Sequence, residues 1–222
     1  MTTLVFLESH DGELTKGGLG VLGKAASLGD DVAGVVLGSG VRDAAAAAGA
    51  FGASTVYVVD DEALGAPLPQ PRVDALEAVV RESGADTVLF AASVLAADVA
   101  AGLAARLEAG VNWDLTDLRR EGDELVGVRP ALGDTVLVEV GWTSTPRLAL
   151  VRAGTFDPVE SGGSAEVKGT ATARATRAVR TPPARTTRSR RPIGVRRPTR
   201  PCSGPASSGA SIAAATGTVR CE

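Results

Sequence analysis

The chain has 222 residues, of which 44% are hydrophobic, so it is long enough for one or two domains with a buried core. Its net charge of -3 hides two unlike parts, because residues 1–167 carry 11 Lys and Arg against 25 Asp and Glu, whereas residues 168–222 carry 12 against 1. No apolar run approaches the ~20 residues that span a bilayer, and the first residues lack the basic start of a signal peptide, which predicts a cytoplasmic protein without membrane segments.

Residues 3–108 alternate short Val- and Leu-rich runs with Ala-rich segments of helical period, a pattern typical of a parallel sheet with crossover helices. The predicted elements, in chain order, are strand 4–8, helix 20–28, strand 31–37, helix 41–50, strand 55–59, helix 72–83, strand 87–91 and helix 95–108. Pro67, Pro69 and Pro71 predict an extended connection before the third helix.

After Gly110 the hydrophobic period changes from 3.6 to 2, which predicts strands joined by turns. These strands are expected at 114–120, 125–129, 135–140 and 147–151, as an antiparallel meander. The predicted fold is therefore α/β, with an open, mostly parallel sheet, flanking helices in Rossmann-like or adenine nucleotide alpha hydrolase-like layers, and an extension of antiparallel strands. One domain over residues 1–157 and a linker over 158–167 are expected.

Residues 168–222 are composed almost wholly of Arg, Pro, Ala, Thr, Ser and Gly. Their only large aliphatic side chains are Val179, Ile193, Val195, Ile212 and Val219, and they hold no aromatic residue. Such a segment cannot bury enough apolar surface to offset its conformational entropy, about 1–2 kcal/mol per residue. The sequence predicts a disordered basic tail.

Cysteine and histidine are scarce in the part that can fold. Cys202 and Cys221 both lie in the tail, and His10 is the only histidine. Residues 1–167 therefore have no disulfide framework and no His/Cys zinc site, and a Ser/His/Asp triad would depend on His10 alone. A catalytic role for His10 beside Glu8 or Asp11 is less favoured than a solvated turn residue, because no nucleophile is tied to it by sequence.

The glycines of GGLGVLG match the spacing GxGxxG at Gly18, Gly20 and Gly23, which can bring backbone N–H groups to a pyrophosphate. In a dinucleotide fold, however, the first glycine directly follows the first strand, whereas residues 10–17 intervene here and include Asp11 and Glu13. Nearby acids would repel phosphate. Glycines that ease the start of a helix are the favoured explanation.

Two groups of acids could offer oxygen ligands to a magnesium ion, namely Asp60, Asp61 and Glu62, and the pair Asp114 and Asp117. Solvated turn acids explain both groups as well, and this interpretation is favoured.

Ser93 and Asp98 follow the fourth predicted strand, where open parallel sheets place their ligand crevice. Ser93 is expected to be a helix N-cap. No residue is assigned as catalytic, cofactor-binding or metal-binding.

The order of several segments resembles the first domain of the electron transfer flavoprotein alpha subunit over about residues 3–167. The segments are LVFLESHDGEL, GVVLGSG, FGASTVYVVDD, DVAAGLAARLEAG followed by DLTDL, RPALGDTVLVEV and RAGTFDPVE. The resemblance implies an electron carrier, not an enzyme, that links flavin dehydrogenases such as acyl-CoA dehydrogenases to an acceptor. It also implies a heterodimer with a beta subunit.

Two departures from the family are visible in the sequence. Ala96, Ala97 and Asp98 stand where the family usually has a Gly-Arg-Asp triplet, which suggests a divergent member. The family binds FAD in a second domain whose motifs contain Gln, Lys and His, yet the chain has no His after His10, no Gln after Gln70 and no Lys after Lys168. FAD is thus implied by the family, but no FAD residue carries over and the chain alone is expected to hold none.

Two explanations remain for the tail. A frameshift in a gene rich in G and C would produce its Arg, Pro and Ala composition and leave a truncated form with only the scaffold and beta-subunit-contact domain. A genuine basic arm would bind nucleic acid through phosphate contacts, but the tail lacks the aromatic residues that stack on bases, so the frameshift is favoured.

A different class of function also stays open: a stand-alone nucleotide-binding or regulatory α/β domain, because a fold does not fix a function.

Overall fold

A computed structural model describes residues 2–29 and 31–170. The strands are β1 (Thr2–Leu7), β2 (Ser9–His10), β3 (Glu13–Leu14), β4 (Asp31–Gly38), β5 (Thr55–Asp60), β6 (Thr87–Ala91), β7 (Val111–Leu115), β8 (Asp117–Glu121), β9 (Glu124–Ala131), β10 (Val136–Val140), β11 (Arg147–Val151) and β12 (Glu166–Gly169). The helices are α1 (Lys16–Ser27), α2 (Arg42–Ala46), α3 (Pro69–Ser83) and α4 (Val94–Leu107), with 3-10 helices at Ala47–Phe51 and Glu62–Leu64.

The centre of the fold is a seven-stranded sheet in the order β12-β5-β4-β1-β6-β11-β7, and all of its pairings are parallel. Because alternate residues of a strand point to opposite faces, β1 contributes to two cores. Leu4 and Phe6 belong to the core built with α3 and α4, whereas Val5 and Leu7 belong to the core built with α1. The predicted α/β class with a mostly parallel sheet and flanking helices is confirmed.

The local signals explain where the helices begin and end. Thr15 accepts a hydrogen bond from the N–H of Gly18 and caps α1, so this helix starts at Lys16, four residues before the predicted start. The predicted helix 41–50 is instead a short α2 that continues as a 3-10 helix. Gly52 then ends it with a φ of +101°, a conformation that glycine adopts without a steric penalty.

The predicted antiparallel meander is wrong in one of its three pairings, that of its last strand. Of the predicted meander, β8, β9 and β10 do pair antiparallel, and they form a separate three-stranded sheet. β11 lies between β6 and β7 in the main sheet and runs parallel to both. Its residues Leu148 to Val151 are all buried, as expected for a strand covered on both faces. Apolar and polar residues therefore do not alternate along this strand.

The segment from Arg152 to Ala165, called the strap here, differs from the predicted linker. It passes over α1 and the 3-10 helix that follows α2, where the N–H of Ser161 donates to the carbonyl of Ala50 at 2.7 Å. The chain then forms β12, which pairs parallel with β5 and continues across the predicted boundary between residues 167 and 168. The rest of the predicted tail, residues 171–222, lies outside the described residues.

Candidate functional site

A cleft of about 240 Å³ opens at the carboxyl ends of β1 and β4, where open parallel sheets usually bind their ligands. Its polar lining comes from Glu8, Ser9, Asp11, Ser39 and Arg72. The cleft is smaller than the ~300–1,000 Å³ of typical small-molecule pockets. Two of its side chains are acidic, so its chemistry does not suit a phosphate.

Arg72 is the one buried guanidinium among the described residues, with 7% of its surface exposed. Its Nη1 donates to the carbonyls of Ala66 and Leu68 at 2.6 and 3.0 Å, and its Nη2 donates to that of Leu64 at 2.7 Å. Burial lowers the pKa of Arg72, and the negative charge of Glu8 opposes this shift. The guanidinium therefore ties the turn at 64–68 to α3.

Ser93 is the N-cap of α4, which confirms the role predicted for it. Its Oγ accepts a hydrogen bond from the N–H of Ala96 at 2.9 Å and also donates to the carboxylate of Glu8. The serine thus joins the end of β1 to the start of α4. Asp98 lies on the exposed side of α4, one turn further along.

The glycine motif does not form a phosphate-binding loop, because Gly18, Gly20 and Gly23 all lie within α1. A Cβ on Gly20 would lie 2.0 Å from the carbonyl oxygen of Phe156, so this glycine allows the strap to cross the helix at backbone distance. The sequence could not indicate that contact, since its partners are far apart in the chain.

His10 lies in the hairpin formed by β2 and β3, with its Nε2 3.4 Å from a carboxylate oxygen of Asp11. Both side chains are almost fully exposed. This is the solvated turn position that the sequence analysis favoured.

Asp60, Asp61 and Asp117, three of the candidate magnesium ligands, each have another partner. Asp60 accepts from the N–H of Gly40 at 2.7 Å, and Asp61 caps the following 3-10 helix by accepting from Ala63 N at 2.9 Å. Asp117 lies 3.0 Å from the Nζ of Lys24. Within residues 2–29 and 31–170, no three His, Cys, Asp or Glu side chains come together as a metal site.

Asp114 forms a two-pronged ion pair with Arg152, whose Nε and Nη2 donate to its two carboxylate oxygens at 2.8 and 2.9 Å. These hydrogen bonds hold the pKa of Asp114 below its ordinary value of 3.8. The pair joins the end of β7 to the first residue of the strap and has a structural role.

An apolar groove of about 670 Å³ lies between α1 and the strap and is lined by Phe51, Phe156 and Val159 among others. The Nζ of Lys24 lies 5.1 Å from the ring centre of Phe156, a cation–π distance, while the same group pairs with Asp117. Lys24, the one basic side chain that lines the groove, therefore already interacts with Phe156 and Asp117. The groove offers no other positive charge to a diphosphate.

An exposed apolar surface that the sequence analysis missed lies on the three-stranded sheet and on β7 of the main sheet. Val136, Leu137 and Val138 of β10 are 44%, 67% and 39% exposed. Trp113 of β7 is 62% exposed, and the guanidinium of Arg129 lies 5.5 Å from its ring centre. The run VLVEV predicted a strand here. The sequence pattern alone does not show whether that strand lies at the edge of a sheet or between two other strands.

A model of the electron transfer flavoprotein domain matches residues 3–180. The chain belongs to the electron transfer flavoprotein family. The described residues do not fit a flavin by themselves, because the cleft at the strand ends is small and acidic and Gly20 of α1 is packed against the strap. Among the described helices, none is long and apolar enough to cross a membrane.

Several relatives of the chain are named electron transfer flavoprotein subunit alpha. The chain is 30% identical over 165 residues to the electron transfer flavoprotein subunit alpha of Syntrophomonas wolfei, covering 74% of this chain and 52% of that protein. It is 33% identical over 165 residues to the subunit alpha of Mycobacterium leprae, with 73% and 51% covered. It is 29% identical over 170 residues to Protein FixB of Clostridium saccharobutylicum, with 72% and 50% covered. The chain spans about half the length of these relatives.

Proposed function

We propose that this chain provides the scaffold and partner-contact domain of an alpha-type electron transfer flavoprotein subunit, in a heterodimer with a beta subunit. The observation that carries the proposal is the family match over residues 3–180, which includes the described secondary structure from the second residue of β1 to β12. The similarity to several alpha subunits over about half their length supports the same role.

In the assembled protein, a bound FAD would accept electrons from flavin dehydrogenases, such as acyl-CoA dehydrogenases, and pass them to an acceptor. The part assigned to residues 2–170 is structural, since the parallel sheet and its two cores hold the surfaces that a partner contacts. This domain carries out no catalytic step of its own, and it does not hold the flavin. The small, acidic cleft and the packing of Gly20 against the strap support that division.

The proposal is tested by purifying the chain and measuring its flavin absorbance and its binding to the electron transfer flavoprotein beta subunit of the same organism. We expect no stoichiometric flavin on the chain alone and a stable complex with the beta subunit. Flavin bound one to one by the chain alone would contradict the assignment. Saturable micromolar binding of AMP or ATP, together with no beta-subunit complex, would instead support a stand-alone nucleotide-binding domain.

A further inference from the structure

β12 forms one of the two edges of the main sheet. It pairs with β5 on one side, and no strand within residues 2–29 and 31–170 covers its other side. All four of its residues are exposed. A strand edge with unpaired N–H and C=O groups is a template for another strand, although charged side chains on the edge oppose most partners. The order of the charges along β12 therefore determines which partner fits.

The backbone of β12 faces outward at Val167. The N–H groups of Glu166 and Thr170 each donate to a carbonyl on the β5 side at 3.0 Å, so these residues face β5. Backbone groups alternate in direction along a strand, so the N–H and C=O of Val167 and Gly169 point away from β5. A strand that adds antiparallel can exchange two hydrogen bonds with Val167 without disturbing the pairing of β12 with β5.

The charges of β12 match a second copy of β12 in one register. When two copies run antiparallel about a two-fold axis through Val167, Glu166 of each copy lies opposite Lys168 of the other. Within one copy the Nζ of Lys168 already lies 3.4 Å from a carboxylate oxygen of Glu166, so four charges alternate in sign around the axis. An axis through Glu166 or Lys168 would instead oppose like charges, which destabilises a strand pair.

The opposite face of the paired strands is apolar and lacks bulky side chains. Val167 lies opposite Val56 of β5, which is buried in the core built with α1, and 40% of Val167 is exposed. In the same register the two copies of Val167 contact each other, which removes apolar surface from water. Gly169 of each copy lies opposite Ala165 of the other, and these small residues allow the backbones to approach.

We propose that the outer edge of β12 is a self-association surface, where a second copy of this chain pairs antiparallel about Val167 and joins the two main sheets. The inference goes beyond the proposed function, because this contact needs no beta subunit. A stable interface buries roughly 800 Å² on each partner, more than an edge of four residues provides. The dimer is therefore expected to be weak, and added salt should weaken it further because the charged pairs are exposed.

The test is sedimentation velocity of the full chain from micromolar to submillimolar concentration, at low and at raised salt. Glu166→Lys and Lys168→Glu each place like charges opposite each other across the axis. The double variant that carries both substitutions exchanges the charges and keeps them complementary. Glu82→Lys, at an exposed position of α3, makes the same change in net charge away from the edge and is the matched control. Circular dichroism measures the melting temperature of each variant.

We expect the unmodified chain, Glu82→Lys and the double variant to dimerise with similar dissociation constants, and each single variant to dimerise at least tenfold more weakly while melting within a few degrees of the unmodified chain. An equimolar mixture of the two single variants should dimerise again, because one supplies two lysines and the other two glutamates.

An unmodified chain that stays monomeric at submillimolar concentration would overturn the proposal. A dimer that neither single variant weakens, or that raised salt leaves unchanged, would also overturn it, since such a dimer uses another surface. The salt series tests the charged pairs without any substitution, so it decides the question even if a single variant folds poorly. All of these measurements are made without the beta subunit, so their outcome is independent of the proposed function.

Discussion

Replacing Gly20 by alanine tests whether the strap is held by a backbone-to-backbone contact with α1. The new Cβ would lie 2.0 Å from the carbonyl oxygen of Phe156 and 2.9 Å from its carbonyl carbon. Both atoms belong to the backbone, so no side-chain rotation relieves the overlap. Either the strap or the helix has to move.

Two opposing terms set the size of the effect. Alanine inside a helix is favoured over glycine by about 1 kcal/mol, whereas overpacking costs about 1–3 kcal/mol and more where backbone must shift. With both terms present, we expect Gly20→Ala to lower the free energy of unfolding by about 1–2 kcal/mol. For a domain of this size, that corresponds to a fall in melting temperature of roughly 2–8 °C.

Gly23→Ala is the control in the same helix. The nearest atoms to a Cβ at this position are the carbonyl oxygens of Phe51 and Val159, both at 3.9 Å, which is ordinary contact. Only the helix term remains, so this variant is expected to gain up to about 1 kcal/mol. Thermal and urea unfolding of the two variants should therefore give changes of opposite sign. Equal stabilisation by both substitutions would refute the close crossing of the strap.

Three further predictions concern other parts of the domain. Arg72→Met should lower the free energy of unfolding by about 2–4 kcal/mol in urea titration, because the carbonyls of Leu64, Ala66 and Leu68 lose the hydrogen bonds of the guanidinium. Asp114→Asn should be less stable than the unmodified chain at neutral pH, and the difference should shrink as the pH falls below about 4: the lowered pKa of Asp114 gives stability that is present above its ordinary value of 3.8 and is lost as protonation proceeds through the folded-state pKa. A difference that stays constant down to about pH 2 would argue against the ion pair with Arg152. A chain ending at residue 170 should melt like the full chain, whereas one ending at 157 should melt several degrees lower because β12 and its pairing with β5 are lost. Equal melting of both shortened chains would show that β12 adds nothing.

The sequence predicted the elements whose signals are local. Strands β4, β5 and β6 follow from Val-rich runs bounded by glycine or acidic turns, and α4 follows from Ser93 and from Val99, Leu103 and Leu107 spaced by four residues. These signals act within a few residues of one another, so a single sequence contains them in full.

The elements that the sequence did not predict depend on contacts between distant segments. β12 has the sequence EVKG, which has a single apolar side chain and no period, and it is a strand because β5 offers a free edge beside it. The place of β11 between β6 and β7 is likewise set by pairing. The role of Gly20 depends on Phe156, which the glycine spacing cannot reveal. The exposed apolar surface of β10 could not be predicted for the same reason, since its exposure depends on which strands pair in the folded sheet.

The late position of β12 in the chain has a consequence for synthesis. β5 ends at Asp60, but the strand that covers its edge begins only at Glu166. At a typical 5–20 residues per second, a ribosome takes about 5–20 seconds to make the intervening hundred or so residues. During that interval the nascent chain presents Val56 and Val58 on an uncovered edge, so we expect chaperone occupancy and misassembly of incomplete chains to be greatest between these two events in translation.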